Sequence, residues 1–161
     1  MTATITPSVP AVGSVAPDFT VNSTSGSPVT LSQFRGTQPV LLAFFPLAFT
    51  SVCTVEVCSF SEDYDKFAER GVVVFPISVD SVPTLREYKA KHALKIDFLS
   101  DFKRDVSRAY GVLNETKFHS ERAYFLIDRD GIIRWAHVEE HTRLRRDDAE
   151  ILAHIDALTT V

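Results

Sequence analysis

Residues 40–45 read VLLAFF, six apolar positions in a row, the pattern of a strand buried on both faces of a covered sheet. A second such run, 72–79 (VVVFPISV), carries Pro76 in its interior, which predicts a bulge or a point where pairing has ended. Before them, 18–21 (DFTV) and 29–31 read as short strands parted by a turn-rich NSTSGSP segment, and 32–36 (SQFRG) as a helical turn closed by glycine. A helix is predicted from about Thr50 to Glu69, with Phe60, Tyr64, Phe67 and Ala68 on one face and Arg70-Gly71 ending it. Pro83 fits the first turn of the next helix, whose Leu85, Tyr88 and His92 share a stripe, so His92 reads as packed or capping. A short strand near Phe98 and Leu99 and a helix around 104–110, stopped by Gly111, continue the alternation. Residues 123–127 and 132–138 flank Asp128-Arg129-Asp130-Gly131, a turn suited to an antiparallel hairpin. The last helix begins near Arg146, with Asp147 and Asp148 at its positive end and Ile151, Leu152, Ile155 and Leu158 on its apolar face.

Strands, then βαβ units, then a hairpin and a closing helix predict an α/β fold with a mixed central sheet flanked by helices. A flavodoxin-like sheet shares the alternation, but the hairpin before the last helix favours a thioredoxin-like fold with an N-terminal extension. The 161 residues suit one domain, expected over 13–161, with 1–12 as a flexible N-terminal arm.

Composition narrows the function. At 45% hydrophobic residues, 12 of them Phe, the chain is not a disordered one. No apolar run approaches the ~20 residues of a membrane span. A net charge of −4 argues against nucleic acid as a partner, and the Arg143-Leu144-Arg145-Arg146 cluster reads as a solvated stretch. The first dozen residues lack the features of a secretory signal, so a cytoplasmic location is expected. Two cysteines, Cys53 and Cys58, are too few for a disulfide scaffold and lack the partners of a zinc site. A redox role fits them better, and no metal or cofactor is implied.

The segment 45–53 (FPLAFTSVC) carries the candidate chemistry. A proline, a hydroxyl and a cysteine follow the apolar strand, at the strand end where open α/β sheets gather their reactive groups. The positive end of the following helix favours a thiolate at Cys53, and the Thr50 hydroxyl sits where it can donate to an oxygen the sulfur attacks.

These residues resemble the peroxiredoxins, thiol peroxidases on a thioredoxin scaffold. The resemblance runs from Gly13-Ser14-Val15-Ala16-Pro17-Asp18-Phe19 through 31–36 (LSQFRG) to 125–131 (FLIDRDG), and centres on the P-x-x-x-T-x-x-C of Pro46, Thr50 and Cys53. It implies that Cys53 attacks a peroxide and becomes a sulfenic acid, with the Thr50 hydroxyl, the Cys53 N–H and the Arg122 guanidinium stabilising the departing oxygen. Pro46 would shield the sulfur on the substrate side. Glu56 is placed with it, either holding Arg122 as a bidentate partner or only favouring the helix start.

Two subgroups compete: the PLAFTSVC wording looks like the one-cysteine AhpE type, while Cys58 matches the resolving position of the bacterioferritin comigratory protein (PrxQ) type. The second cysteine favours the two-cysteine type, with an intramolecular Cys53–Cys58 disulfide recycled by a thioredoxin or glutaredoxin-like reductant. Five residues apart on one helix, the two Cα atoms stand about 8 to 9 Å apart and point about 140° away from each other. A disulfide tolerates at most about 7 Å, so the bridge requires the first turns of the helix to unwind. The alternative leaves Cys58 as helix packing and an external thiol as the resolving group. From other classes, a thioredoxin-fold disulfide oxidoreductase would need the Cys-x-x-Cys that is absent here, and a redox sensor or holdase would not turn over. Hydrogen peroxide is the expected substrate beside organic hydroperoxides, with Phe44, Phe45, Leu47 and Phe49 as a candidate apolar approach, and the protein is a monomer or homodimer.

Overall fold

A computed structural model describes residues 8–158. In chain order the elements are β1 (Thr20–Ser23), β2 (Val29–Thr30), a 3-10 turn (Leu31–Phe34), β3 (Val40–Phe44), α1 (Ser51–Glu62), α2 (Tyr64–Glu69) and β4 (Val73–Ser78). They continue with α3 (Val82–Lys91), β5 (Leu99–Ser100), α4 (Asp105–Ala109), β6 (Leu113–Asn114), β7 (His119–Ser120), β8 (Ala123–Ile127), β9 (Ile133–Val138) and α5 (Asp148–Leu158). Seven strands form one mixed sheet in the order β2-β1-β5-β4-β3-β8-β9, with β6 and β7 as a separate pair. The pairs β3/β4 and β4/β5 are parallel, and β8 and β9 add antiparallel beside β3.

The VLLAFF run is central because its side chains feed two cores. Leu41, Ala43 and Phe45 join the cluster under α1, α2, α3 and α5, while Val40, Leu42 and Phe44 join the cluster on the other face with Val106 and Tyr110. Alternation by face needs every position apolar when both faces are covered.

Pro76 causes no bulge on the β3 side, where the register runs unbroken from Val73 to Ile77. Val73 N–H donates to Pro39 and Ile77 C=O accepts from Phe45, so by alternation Pro76 turns toward β5. There pairing begins only at Ile77, and the missing N–H has no ladder bond to break.

The helix expected from Thr50 to Glu69 is broken at Asp63, which closes α1 and opens α2. Its carboxylate pairs with Lys66 at 3.0 Å, and the break lets Phe60 and Phe67 meet edge to face while Tyr64, expected on the buried face, is exposed. The last helix starts two residues later than expected, because Asp147 accepts the Glu150 N–H and so serves as its cap. His92 caps α3 and packs edge-on against Tyr88, as its stripe predicts. Of the expected N-terminal arm, residues 1–7 lie outside the described residues, and Ser8 and Val9 pass directly against Gly111. No described helix is long and apolar enough to cross a membrane.

Candidate active site

β3 ends at Phe44, and the chain turns through buried Pro46 into a short loop that delivers Thr50 as the N-cap of α1. Three contacts fix this loop: Phe45 N–H donates to Ile77 O, Ala48 N–H to Asp80 Oδ2 at 2.8 Å, and Ser120 Oγ to Phe45 O. Phe49 holds a left-handed backbone at φ 65, a strained conformation for a bulky residue of the kind that clusters at functional sites.

Thr50 Oγ1 donates to Leu47 O at 2.7 Å. A hydroxyl has one proton and two lone pairs, so in this arrangement Thr50 faces incoming molecules as an acceptor, not as the donor the sequence suggests. Cys53 is the third residue of α1, one of the positions whose N–H has no partner inside the helix. Its side chain is 2% exposed and its sulfur lies 3.0 Å from Arg122 Nη2.

Arg122 immediately precedes β8, which pairs with β3 and so carries the guanidinium to the same end of the sheet. Only 1% exposed, it is far from the surface residue that a strand-start arginine often is. Nη1 donates to Glu56 Oε1 at 3.0 Å, and Nε and Nη2 both donate to Thr142 O at 3.1 and 2.9 Å. Burial opposes the guanidinium charge, but Glu56 and Cys53 outweigh it and hold the group above its ordinary pKa. Glu56 is fully buried, one turn beyond Cys53 on α1, and its contact with Arg122 is through one oxygen. The other oxygen takes the Tyr124 hydroxyl, so the bidentate pairing expected from the sequence does not form and neither oxygen is left to meet a substrate.

Four parts of this site carried no signal in the sequence. Tyr124 sits in an apolar strand where an aromatic residue reads as core, and Thr142 acts through a backbone carbonyl, which any residue supplies. Asp80 holds the loop from 32 positions away. The basic 143–146 stretch is in part a structural element of the site: Arg146 donates its N–H to Tyr124 Oη and pairs with buried Glu139 at 2.6 Å. That corrects the solvated reading for Arg145 and Arg146, both half-buried, while Arg143 and Leu144 remain exposed.

Cys58 lies on the same unbroken helix as Cys53, half-buried and packed against the core, and both thiols are free. Burial, with the nearby Glu62 carboxylate, pushes the Cys58 thiol up. On the loop before α1, Leu47 is 37% and Phe49 49% exposed, whereas Phe44 and Phe45 are wholly core. Among the described residues no cluster of His, Cys, Asp or Glu could hold a metal ion.

A buried sulfur under a forked cation, at a helix start behind the central strand of a thioredoxin-like sheet, defines a thiol-dependent oxidoreductase. The profile of the AhpC/TSA family matches residues 12–136. Alkyl hydroperoxide reductase E of Mycobacterium tuberculosis is 38% identical over 136 residues, covering 83% of this chain and 89% of the relative. The chloroplastic peroxiredoxin Q of Oryza sativa is 34% identical over 125 residues, covering 76% and 57%. The reduced Plasmodium vivax 2-Cys peroxiredoxin superposes with a TM-score of 0.86 at 37% identity, over 92% of this chain and 81% of that one. The chain belongs to the AhpC/TSA family: it is a peroxiredoxin, an oxidoreductase that reduces peroxides.

Proposed function

We propose that Cys53 is the peroxide-attacking residue, and the observation that carries this is the 3.0 Å contact between its sulfur and Arg122 Nη2, both residues buried. The thiolate bonds to one peroxide oxygen, the O–O bond breaks, and its electron pair leaves on the other oxygen, which takes a proton to give water or an alcohol. Cys53 becomes a sulfenic acid. Negative charge moves from sulfur to the leaving oxygen beneath Arg122 and the Cys53 N–H, donors fixed before the reaction starts. Thr50 accepts the peroxide O–H and so orients it, and Pro46 keeps water from the sulfur. Glu56 serves by positioning Arg122.

Cys58 then attacks the sulfenic sulfur, water leaves, and a Cys53–Cys58 disulfide forms. With both residues on one helix, α1 has to unwind between them, which also frees the Cys58 thiol from the burial that disfavours its thiolate. A dithiol reductant of the thioredoxin or glutaredoxin kind restores both thiols. Exposed Leu47 and Phe49 support organic hydroperoxides as substrates beside hydrogen peroxide. The working unit is one domain over 13–161 acting as a monomer or homodimer in the cytoplasm. One-cysteine chemistry is the second reading, favoured by the packing of Cys58 into the core.

Mass spectrometry of peroxide-treated protein separates the two, with Cys58→Ser as the variant. A Cys53–Cys58 bridge in the natural protein, and loss of turnover with a dithiol protein in the variant, supports the two-cysteine cycle. Unchanged turnover in Cys58→Ser assigns resolution to an external thiol. Peroxide consumption surviving in Cys53→Ser would overturn the site itself.

A further inference from the structure

Tyr88 belongs to α3, not to the loop and helix that carry Thr50 and Cys53, yet it touches that segment on both sides of them. Its side chain is wholly buried, and its hydroxyl donates to Thr54 Oγ1 at 2.9 Å. Thr54 Oγ1 in turn donates to Thr50 O at 2.7 Å, so the donors run in one direction from α3 to the N-cap of α1. The Tyr88 ring lies 4.9 Å from the ring of Phe49, the residue in the left-handed conformation. Phe49 immediately precedes Thr50, and Thr54 immediately follows Cys53.

Packing alone does not explain a tyrosine here. The ring is surrounded by Phe45, Phe49 and Phe98, where phenylalanine would fill the same space without a polar atom to satisfy. A buried hydroxyl is costly unless it is bonded, and this one is bonded to the turn that holds the reactive sulfur.

We propose that Tyr88 is a positioning residue: it clamps 49–54 in the peroxide-reactive arrangement, and its bond to Thr54 is one that α1 must break to unwind toward Cys58. The inference rests on Cys53 as the attacking residue. Burial raises the phenol to about 12, with the two sulfurs and Asp80 adding to the shift, so the clamp remains a neutral donor through the physiological range.

Tyr88→Phe keeps the ring and removes only the hydroxyl; Thr54→Val, of nearly the same shape, removes the other partner. The rates to compare are single-turnover sulfenic acid formation at Cys53 and the closing of the Cys53–Cys58 bridge. In Tyr88→Phe the first is expected to fall and the second to rise, each by about fivefold, the effect of one net hydrogen bond; Thr54→Val, which also removes the bond to Thr50 O, should move both rates at least as far, and the double variant no further than Thr54→Val. General destabilisation would lower the first rate and the melting temperature together without speeding the second, and that result, or two unchanged rates, overturns the clamp. If the natural protein forms sulfenic acid but no bridge, amide exchange over 50–58 replaces the second rate: faster exchange in Tyr88→Phe supports the clamp, and equal exchange overturns it. Should natural Cys53 form no sulfenic acid, the assignment of the attacking residue fails first and the clamp falls with it.

Discussion

Arg122 divides its guanidinium among three acceptors, the Cys53 sulfur, Glu56 Oε1 and the Thr142 carbonyl. Only a planar fork reaches all three, since an ammonium is a single point on a flexible stem. Replacing Arg122 by Met should slow Cys53 oxidation by about 10²- to 10³-fold, the usual effect of losing one donor at a developing anion. Lys should recover only a small part, as read by single-turnover peroxide kinetics. A lysine variant as fast as the natural protein would remove the forked geometry from the mechanism. At this scale Pro46, Thr50 and Cys53 were legible because one loop and one helical turn fix their spacing. The direction of the Thr50 bond was not legible, because it depends on where the Leu47 carbonyl points.

The joint between α1 and α2 is tied to the start of α5. Asp148 accepts from Ser59 Oγ at 2.9 Å and faces the Asp63 carboxyl, while its own buried Oδ1 has no hydrogen-bond partner. Burial first, then Asp63, raises Asp148 to about 7, while Asp148 and Lys66 lower Asp63. Arg145 also faces Asp148 and favours its anion. A carboxyl raised on folding contributes stability fully below its unfolded value, near 4, and loses it as pH climbs through the folded one. Amide protection around Asp63 and the first turn of α5 should therefore fall between pH 5 and pH 8, once intrinsic exchange is corrected for. Asp148→Asn should flatten that profile, and the same slope in both proteins would dissociate the joint from the acid pair. Hydrophobic spacing alone ran one helix through Asp63, because the apolar positions on either side keep a helical period while the break itself is made at a polar residue.

Across the whole molecule, the first described residues, Ser8 and Val9, lie in a contact that only glycine permits. Gly111 ends α4's turn at φ +66, and a Cβ there would stand 2.5 Å from the Ser8 carbonyl carbon and 2.6 Å from the Val9 nitrogen. Gly111→Ala meets both a disfavoured backbone and a collision, so it should destabilise the fold by more than about 1 kcal/mol. Thermal unfolding reads the loss, and limited proteolysis should show 8–12 released. An unchanged melting temperature would mean that this segment gives way without cost. The fold class was legible at this scale: the doubly buried VLLAFF run, the hairpin turn at 128–131 and the βα alternation require a covered mixed sheet.

By itself the sequence determined the candidate segment and the layered sheet that presents it, since both follow from patterns read within a few residues: alternation by face, a proline stop, a helix start. Tertiary structure decided what surrounds the sulfur. Arg122 is 69 positions from Cys53, Tyr124 is 68 from Glu56, and Thr142 is 20 from Arg122. Such contacts depend on β8 lying beside β3 and on the chain returning before α5, and local spacing does not encode how distant segments meet. It also decided that both thiols share one intact helix, a placement in which a bridge between them would require that helix to unwind.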